Sequence, residues 1–464
     1  LNAAPAAAWP AILAAPDSAT RSEAAAALTL ACPTRGADTT DVLWRSALHA
    51  MHTQAASAHP RFVTVSGDLL AHMFDCKYKT LLPRATHAEY VAFTEKTIRY
   101  IVSSLRSALP ATPIYLALGN NDSSCTDYQL APAHDELLAL TARLAAEVLP
   151  AADRAGVLAT FPLTGSYSAP LAGVPHTRIL VLDDLFLAAQ YKTCAGERDP
   201  SPAAAQLAWL TEQLASARDH RQRVWVVGHI PPGINLYSTA RKLTDVCGGG
   251  KPVTFLASDQ LARTLAANAG TVRLALFGHT HSDEMLLLVP ETDSTAPPTP
   301  AARPAAGVPV KLVASITPVN GNLPTFTLAW VDPGTADLKD YTVLQASNAT
   351  GIDAAWTPAY TYSAAYHQPA FDAPALHTLI AGFQTDRSAH SPGTQAYIRN
   401  YFPGGGAATL LQLAWPEYAC GLDHTSSAAY AACICATRPA PPAASLPPAA
   451  PELAVKPPNP APSR

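Results

Sequence analysis

The sequence lacks several features that would assign it to a common functional class. It contains no stretch of about 20 consecutive apolar residues, so it predicts no transmembrane helix. Charged residues make up only 14% of its 464 residues, and the formal net charge is −4. Its basic residues form no run, so electrostatics favours neither nucleic acid nor an anionic membrane as a partner. With 48% apolar residues, the chain instead has the composition of a globular protein with a large core.

Common catalytic and metal-binding signatures are missing as well. The sequence has no Gly-x-x-x-x-Gly-Lys phosphate loop and nothing that resembles a nucleophilic serine elbow. Its eight cysteines form no Cys-x-x-Cys pair, which excludes the usual zinc-ribbon spacing. Eight cysteines in a chain of this length favour structural disulfides made in an oxidising compartment, so we expect a secreted or periplasmic protein. The alternative is that several of them are buried free thiols.

What the sequence does contain is four short polar motifs, each directly after an apolar run with strand character. They are Ser66-Gly67-Asp68, Gly119-Asn120-Asn121-Asp122, Gly228-His229 and Gly278-His279-Thr280-His281. Open α/β sheets bind ligands at the carboxyl ends of their strands, and glycine permits a sharp turn there. Carboxylate, amide and imidazole groups are suitable ligands for divalent metals, and two metals about 3.5–4 Å apart commonly hydrolyse phosphate esters. One such motif alone is usually an ordinary turn, but the four in order predict a metal site.

Strand-like and helix-like segments alternate through most of the chain. The predicted helices are 40–58, 86–109, 132–149, 203–218 and 258–268, and the predicted strands between them are 61–65, 113–118, 178–183, 223–227 and 272–277. Strands without helices follow at 311–316, 325–332 and 339–345. Alternation followed by a meander predicts an α/β fold in which two sheets pack together.

Composition divides the remainder of the chain. Residues 290–309 are rich in Pro, Ala and Thr and predict a surface excursion between two strands. Residues 437–464 contain ten prolines and predict a solvated, disordered tail. We therefore expect a main domain at 1–345, a smaller helical, Cys-containing subdomain at 346–436, and the tail.

The motifs resemble those of the calcineurin-like metallophosphoesterases, and within them the acid sphingomyelinase-like branch. The residues that carry the resemblance are Gly67-Asp68-Leu69-Leu70-Ala71-His72, Gly119-Asn120-Asn121-Asp122, Gly228-His229-Ile230-Pro231-Pro232-Gly233, Gly278-His279-Thr280-His281 and the later segment Ser315–Pro324. The Gly-Asn-Asn-Asp form also occurs in endopolyphosphatase-type relatives. The resemblance implies a four-layer αββα sandwich with a mostly helical C-terminal subdomain. It also implies hydrolysis of phosphoric esters by a metal-bound hydroxide.

The resemblance further implies a set of metal ligands. Asp68 would bridge two divalent ions (Zn, Mn or Fe), while Asn120, His229 and His279 would complete one position and His281 would serve the other. The second position also requires an Asp-x-His motif on an earlier strand. No Asp in this sequence is followed two residues later by His. The chain therefore carries one complete metal position and half of a second, and we predict no other cofactor.

The missing motif has two explanations. The chain begins with Leu1 rather than Met, so we expect the first strand, together with a removed signal peptide, to lie upstream of Leu1. The alternative is a natural single-metal or inactive relative that binds a phosphorylated ligand without turning it over.

A second departure from the family pattern concerns catalysis. In the family a His usually occupies the position of Asn121, where it contacts the phosphate and assists the leaving group. An amide donates a hydrogen bond but delivers no proton at neutral pH. We therefore predict His72, four residues after Asp68, as the general acid, with Asn121 as a hydrogen-bonding catalytic residue. The alternative for His72 is a place at the surface or behind the ligands.

Positions outside the motifs carry weaker predictions. Asp183 and Asp184, at the end of a predicted strand, are expected in a solvated turn rather than in the cleft. Asn322 resembles a family position near the site, although support of the core would explain it equally well.

Taken together, the residues and the resemblance predict a metal-dependent phosphoesterase that acts on a small phosphorylated substrate, either a phosphomonoester or a phosphodiester. We expect nucleotides or polyphosphate rather than a sphingomyelin-like lipid phosphodiester, because no saposin-like, Cys-paired segment precedes the main domain in this sequence. Regulation by nucleic acid is not expected, and the sequence predicts no oligomeric state. The competing hypothesis from another class is a pseudoenzyme that binds phosphate.

Overall fold

A computed structural model describes residues 32, 34, 36–132, 135–290 and 306–436 of the protein. The tail predicted at 437–464 and most of the excursion predicted at 290–309 lie outside these residues. Within the described ranges, no helix combines the length and the apolar character needed to cross a membrane.

The first part of the chain alternates between helices and strands. In order they are α1 (Asp41–Ala58), β1 (Val63–Ser66), α2 (Phe74–Leu81), α3 (His87–Ala108), β2 (Ile114–Ala117), α4 (Glu136–Val148), α5 (Arg154–Thr164), β3 (Ser166–Pro170), β4 (Thr177–Leu182), α6 (Ser201–Asp219), β5 (Arg223–Val227), α7 (Leu236–Arg241), α8 (Gln260–Ala267) and β6 (Val272–Phe277).

Strands and then helices form the second part. They are β7 (Glu284–Leu288), β8 (Val308–Leu312), β9 (Thr325–Val331), β10 (Leu338–Ala346), β11 (Trp356–Thr361), α9 (Tyr362–Tyr366), α10 (Ala373–Thr385), α11 (Pro392–Tyr401), α12 (Ala408–Leu413), α13 (Trp415–Gly421) and α14 (Ser427–Ala436).

The strands form three sheets among the described residues. A six-stranded sheet has the order β3-β4-β5-β6-β8-β7, with β4, β5, β6 and β8 parallel and the two edge strands antiparallel. A parallel pair joins β1 to β2, and an antiparallel sheet has the order β11-β10-β9. Each of the four polar motifs directly follows a strand that is parallel to its neighbour, so all four lie at carboxyl ends of strands.

The sheets pack face to face with helices outside them, which gives the four-layer αββα sandwich. Tyr115 of β2 donates a hydrogen bond to the carbonyl of Pro170 (2.6 Å), and Tyr167 of β3 accepts one from the backbone of Leu116 (2.8 Å). Helix α6 covers the outer face of β4 and β5, while α1, α3 and α4 cover the side of β1 and β2. The interior is one continuous apolar cluster that includes the C-terminal helices.

Most of the predicted elements are confirmed to within a few residues. The helix predicted at 86–109 is α3, which begins in a capping box formed by Thr86 and Glu89. The prediction missed β3 and β7, because short edge strands carry little periodic signal, and it missed α5, which contains Pro162. The strand predicted at 311–316 is instead β8, Val308–Leu312.

All eight cysteines form disulfides, as the cysteine count predicted. The pairs are Cys32–Cys76, Cys125–Cys194, Cys247–Cys435 and Cys420–Cys433. The Cys247–Cys435 bridge joins the last helix, α14, to the loop that follows α7, and thereby ties the helical C-terminal part to the α/β part. The described chain therefore holds its two parts together by a covalent link as well as by a shared core.

The layer that contains β1 and β9 has an opening. β1 is hydrogen-bonded only to β2 and β9 only to β10, so within the described ranges each has one edge without a strand partner. Both strands line one elongated cavity of about 680 Å³, which we call the slot. All four residues of β1 are only half-buried, whereas all four residues of β2 are buried.

The disulfide pattern makes a prediction about stability. Replacing Cys247 and Cys435 together by Ser should destabilise the protein more than replacing Cys420 and Cys433, because the two bridges span 188 and 13 residues respectively. A chain-entropy treatment gives about 5 kcal/mol for the long loop and about 3 kcal/mol for the short one. Denaturant unfolding of the two double variants measures the difference. Equal losses in the free energy of unfolding would show that the Cys247–Cys435 bridge does not stabilise the protein by closing a long loop in the unfolded chain.

Candidate metal centre

The backbones of the first two motif loops are in contact, and this contact positions Asp68. Gly67 has a φ of +90°, and a Cβ built on it would lie 2.5 Å from the backbone nitrogen of Gly119. A Cβ built on Gly119 would lie 2.2 Å from Oδ1 of Asp68. Asp68 itself has a φ of +56°, a left-handed conformation that is uncommon for a residue with a side chain. Only glycine at both positions lets the two strand ends lie this close.

Four side-chain atoms converge beside this contact. Nε2 of His229 lies 3.2 Å from Oδ2 of Asp68 and 3.1 Å from Oδ1 of Asn120. Nδ1 of His279 lies 2.8 Å from the same Asn120 oxygen and 3.3 Å from Nε2 of His229. Ligands at about 2.0–2.2 Å from a tetrahedral metal are themselves about 3.3 Å apart, so these four atoms fit the shell of one divalent ion. The structure thus brings together the residues predicted for the complete position.

Hydrogen bonds from behind fix the orientation of each ligand. Nδ1 of His229 donates to the carbonyl oxygen of Ser66 (2.6 Å), which leaves Nε2 facing the site. The amide nitrogen of Asn120 donates to Asp127 (2.7 Å), so its oxygen points at the two imidazoles. The ring of His279 contacts the hydroxyl of Tyr128 through Nε2 (3.2 Å). Partners of this kind orient metal ligands and tune their basicity.

Burial and mutual charge set the protonation of this cluster. Burial opposes ionisation of Asp68, but the adjacent His229 holds the pKa of Asp68 well below its usual range. Burial also opposes a charge on His229, but Asp68 raises the pKa of His229 to about 9. Burial and the neighbouring His229 together lower the pKa of His279 to about 3. The cluster therefore holds a negative charge and a neutral imidazole, and one proton that a cation can displace.

A second group of candidate ligands shares Asp68. The ligand atoms of Asp68, His72 and His281 all lie within 4.8 Å of one another. Nδ1 of His72 lies 2.8 Å from Oδ1 of Asp38, and the side-chain amide of Asn320 lies 3.2 Å from Nδ1 of His281. His72 thus lies beside Asp68 and His281 with its side chain 30% exposed, and because Nδ1 faces Asp38, its Nε2 is available either as a ligand or as a proton donor. With His72, the second group has two imidazoles, whereas the sequence analysis assigned only that of His281 to the second position.

Asp38 is a site residue that the sequence prediction missed. It is buried, accepts from His72, and forms an ion pair with Lys77 (2.5 Å). Burial opposes a charge on His72, but the hydrogen bond and the charge of Asp38 outweigh it and raise the pKa of His72. A raised pKa makes a histidine more suitable as a general acid near neutral pH. Asp38 precedes α1 and belongs to no motif, so only the fold reveals it.

The side chains of Asn121 and Asp122 make hydrogen bonds to other residues of the two motif loops. The amide nitrogen of Asn121 donates to Oδ2 of Asp68 (2.7 Å) and its backbone N–H donates to Oδ1 (2.9 Å). Asp122 accepts from the backbone of Leu70 (2.8 Å) and of Gly119 (2.9 Å), which links the two motif loops. Asn121 therefore positions the carboxylate shared by both groups.

Asp183 and Asp184 are fully buried, which contradicts the solvated turn predicted for them. The carboxylate of Asp184 accepts hydrogen bonds from the backbone N–H groups of His229 (2.9 Å) and Ile230 (2.9 Å). A Cβ built on Gly228 would lie 2.3 Å from Oδ2 of Asp184, so this carboxylate occupies the space that the glycine leaves. Asp184 thereby holds the third motif in its turn. Asn322 supports the same region from the core through Thr317 (2.8 Å), and it is Asn320 that reaches His281.

A cavity of about 490 Å³ opens on the other side of His279. Aromatic rings line much of it, together with the carboxylate of Glu284; the rings are those of Tyr237, Phe255, Tyr401 and Phe402. Glu284 is buried, and its Oε1 has no hydrogen-bond partner within the part of the chain that the structure describes. Burial raises the pKa of Glu284 to about 7. The cavity has the size and lining of a small-molecule pocket and borders a candidate metal ligand.

Comparison with known proteins agrees with this geometry. The sequence profile of the calcineurin-like phosphoesterase family matches residues 38–283, just over half of the chain. The match begins at Asp38 and contains all four motifs.

Three curated proteins are similar to the chain. Sphingomyelinase phosphodiesterase C of Dictyostelium discoideum is 27% identical over 192 residues, which is 41% of this chain and 39% of that protein. Acid sphingomyelinase-like phosphodiesterase 3b of Homo sapiens is 25% identical over 416 residues, 85% of this chain and 80% of that protein. Cyclic GMP-AMP phosphodiesterase SMPDL3A of Mus musculus is 24% identical over 351 residues, 73% of this chain and 72% of that protein. The chain thus spans well under two thirds of the first of these proteins and more than two thirds of the other two.

The contact between the two motif loops makes a prediction. Gly119→Ala should lower affinity for Zn²⁺ by at least about tenfold, because the new methyl group overlaps Asp68 and displaces it from the cluster. Isothermal titration with Zn²⁺ measures the affinity. Gly156→Ala in α5 is the matched control, since nothing lies within 4 Å of its Cβ, and it should bind Zn²⁺ normally. Unchanged affinity in Gly119→Ala, with the fold intact, would contradict the role assigned to this contact.

Proposed function

The chain belongs to the calcineurin-like phosphoesterase family, and from that premise we propose that it is a metal-dependent phosphoric ester hydrolase that prefers phosphodiesters. The observation that carries the proposal is the convergence of four ligand atoms. His229 lies 3.1–3.3 Å from Asp68, Asn120 and His279, and His279 lies 2.8 Å from Asn120. Within the described chain, the one other group of His, Cys, Asp or Glu side chains close enough to hold a metal is Asp68, His72 and His281, which has three members.

The residues fit a divalent metal in their chemistry as well as their spacing. One carboxylate, one amide oxygen and two imidazoles form a mixed oxygen and nitrogen set, typical of Zn²⁺ or of an intermediate metal such as Mn²⁺ or Fe²⁺. When bound, such a metal supplies Lewis acidity and makes water a better nucleophile. The protein supplies no nucleophile of its own in this proposal.

The remaining residues have separate tasks in the proposed reaction. Asn121 and the strained turn at Asp68 hold the carboxylate of Asp68, which both ligand groups share, in place during the reaction at phosphorus. His72, whose pKa the adjacent Asp38 raises, donates a proton to the departing alcohol oxygen. His229 and His281 are shielded from solvent, with 2% and 3% of their surface exposed. Burial of this degree strengthens the electrostatic interactions of the site.

The cavity next to His279 is the proposed place for one of the two esterified groups of the substrate. Aromatic walls and the carboxylate of Glu284 suit a ring-bearing group that carries hydrogen-bond donors, such as a nucleoside. The similarity to phosphodiesterases named for cyclic GMP-AMP and for sphingomyelin also supports a diester. We therefore propose a nucleotide as the substrate in preference to a sphingomyelin-like lipid. Polyphosphate and phosphomonoesters are the other substrates to be tested.

A location outside the cytoplasm follows from the same proposal. Four disulfides in a chain without a free cysteine fit an oxidising compartment, where the protein would be secreted or periplasmic. The second candidate function is a pseudoenzyme that binds phosphate, favoured by one observation: the second group has only Asp68, His72 and His281.

The proposal predicts metal-dependent turnover. With Mn²⁺ or Zn²⁺ the protein should hydrolyse bis-p-nitrophenyl phosphate, and EDTA should abolish the activity. His279→Ala should reduce turnover by about 100-fold or more, because even residues behind metal ligands contribute 10–100-fold. The exposed His220→Ala serves as the control and should retain full activity.

Metal content and phosphate binding distinguish the two candidates. We expect clearly fewer than two tightly bound ions per chain by elemental analysis, because only one group of ligands is complete. Binding of inorganic phosphate without hydrolysis of any ester, at full occupancy of the first position, would favour the pseudoenzyme. Two tightly bound ions would contradict the ligand count.

The role of His72 predicts a dependence on the leaving group. His72→Ala should reduce turnover of an alkyl phosphodiester far more than that of a nitrophenyl diester, because nitrophenolate leaves without a proton. Steady-state kinetics on the two esters measures the ratio. An equal loss on both esters, accompanied by weaker metal binding, would show that His72 is a ligand and not the acid.

A further inference from the structure

We propose that the cavity beside His279 is a nucleobase subsite, in which the buried carboxylate of Glu284 selects a base whose edge carries two adjacent N–H donors, as that of guanine does. The inference deepens the proposed function by naming the base of the nucleotide, and its consequence for turnover rests on that function. Binding of the base does not rest on it, because the residues that line the cavity, apart from His279, lie outside both groups of ligands.

The cavity adjoins the metal centre at the ring of His279. Nδ1 of this ring faces Asn120 within the first group of ligands (2.8 Å), and the ring also lines the cavity. Phe255, another wall residue, meets the same ring edge-on, with 5.6 Å between the two centroids. A group esterified to a phosphate at the metal centre therefore has the cavity directly beside it.

Aromatic rings from both parts of the chain form the walls of the cavity. Tyr237 in α7 and Phe255 in the loop before α8 come from the α/β part, whereas Tyr401 ends α11 and Phe402 follows it. Tyr237, Phe255 and Phe402 are half-buried, so each remains partly accessible to a ligand. Aromatic side chains stack on nucleobases because every base offers a flat π face. These walls thus suit a planar ring better than a flexible acyl chain.

Glu284 contributes an acceptor without a donor to the lining of this cavity. It is 6% exposed, and Thr280 and Tyr401 hydrogen-bond to its carboxylate, yet Oε1 has no hydrogen-bond partner among the described residues. Leaving a buried acceptor unpaired is costly. A ligand that brings N–H groups to this carboxylate therefore binds more tightly than one of the same shape that lacks them.

The carboxylate is held in a fixed place before any ligand arrives. β7 begins at Glu284, and all five residues of this strand are buried. The backbone N–H of the preceding residue, Asp283, donates to the carbonyl of Tyr401 (2.7 Å), which joins the strand to the end of α11. A preorganised acceptor loses less freedom when a ligand binds, and it therefore binds its donor more tightly.

Asn235 adds a hydrogen-bond donor to the same cavity. Its side-chain oxygen accepts from the backbone N–H of Ser238 (2.9 Å) as the N-cap of α7, so its NH₂ group is the part that it can offer to a ligand. The cavity thus combines an acceptor on Glu284 with a donor on Asn235. Guanine carries the complementary groups side by side, because N1–H and the amino group at C2 are donors and the oxygen at C6 is an acceptor.

Other ligands match these groups less well. Adenine and cytosine each place an acceptor ring nitrogen beside the amino group, and uracil flanks its N–H with two carbonyl oxygens, so each brings a lone pair toward the carboxylate. A quaternary ammonium also suits aromatic walls and a carboxylate. It brings no N–H to Oε1 of Glu284, however, and its charge repels the NH₂ group of Asn235. The mixed lining therefore favours guanine over the other bases and over a choline-like cation.

Calorimetric titration of the Zn²⁺-loaded protein with free nucleosides tests the subsite without a phosphate group. Guanosine should bind at least about tenfold more tightly than adenosine or cytidine, because a site built for a donor rejects analogues that lack it. Glu284→Gln should remove this preference, since the amide turns a donor toward the base. Asn235→Asp should also weaken guanosine binding while it keeps the N-cap of α7, because Asp caps helices as well as Asn does. The exposed Glu212→Gln in α6 is the matched control and should bind guanosine as the unaltered protein does.

Turnover separates this inference from the proposed function. The protein should hydrolyse guanosine 5′-(p-nitrophenyl phosphate) with a kcat/KM at least about tenfold above that of the adenosine ester, and Glu284→Gln should bring the two values together. Selective binding of guanosine without hydrolysis of either ester would reject the proposed function and leave the subsite in place. Hydrolysis of both esters at equal kcat/KM, with equal binding of guanosine and adenosine, would overturn the subsite and leave the function. Choline that binds more tightly than guanosine would show a cation pocket and overturn the subsite as well.

Discussion

The close approach of two backbones at Gly67 and Gly119 is the constraint on which the rest of the structure depends. These loops end two parallel strands, and the absence of side chains at both glycines lets the carboxylate of Asp68 occupy the volume between them. Asp122 then holds the loops together through the backbone N–H groups of Leu70 and Gly119. If the two loops lay farther apart, Asp68 would move away from His229. Both groups of ligands would then lose a member, because Asp68 belongs to both.

Buried carboxylates hold the other parts of the centre in the same manner. Asp184 accepts a hydrogen bond from the backbone N–H of His229 in the third motif. Asp38 accepts hydrogen bonds from the side chains of His72 and Lys77. Burying a charge without partners is expensive, so each of these groups persists because backbone donors or a cation surround it. His279 and His281 carry the strain of the fourth motif in their positive φ values of 69° and 61°. Strain of this kind endures only where the surrounding contacts over-determine the conformation, as the contacts of His279 with Asn120 and Tyr128 and of His281 with Asn320 do here.

The sequence was sufficient to predict the sandwich and the residues that meet at the strand ends, because both follow from local patterns. Alternating strands and helices fix the class of fold, and a ligand directly after a strand needs no knowledge of long-range contacts. Asp38 and Asn320 were beyond reach for the opposite reason: neither belongs to a motif, and each meets its histidine only through the packing of distant segments. The turn at Asp183 and Asp184 was predicted as solvated, and the prediction failed for two different reasons. Backbone donors replace the water around Asp184, whereas the carboxylate oxygens of Asp183 have no hydrogen-bond partner among the described residues and burial raises the pKa of Asp183 well above its usual value. The slot follows from no local pattern, since its two edges lie far apart in the chain and come near one another only in the folded protein.

The two groups of ligands differ in what the described fold already secures. His229, Asn120 and His279 each have a partner behind them, in Ser66, Asp127 and Tyr128, so the first group is rigid before any metal arrives. The second group lies at the end of the slot, where β1 has an unpaired edge and the walls surround open space. His72 and His281 also have partners, in Asp38 and Asn320, so the second group differs from the first in its place beside an unpaired sheet edge. Edge strands are less stable than internal ones. The larger number of complete ligands therefore favours occupation of the first position ahead of the second, and the open edge of β1 favours it further.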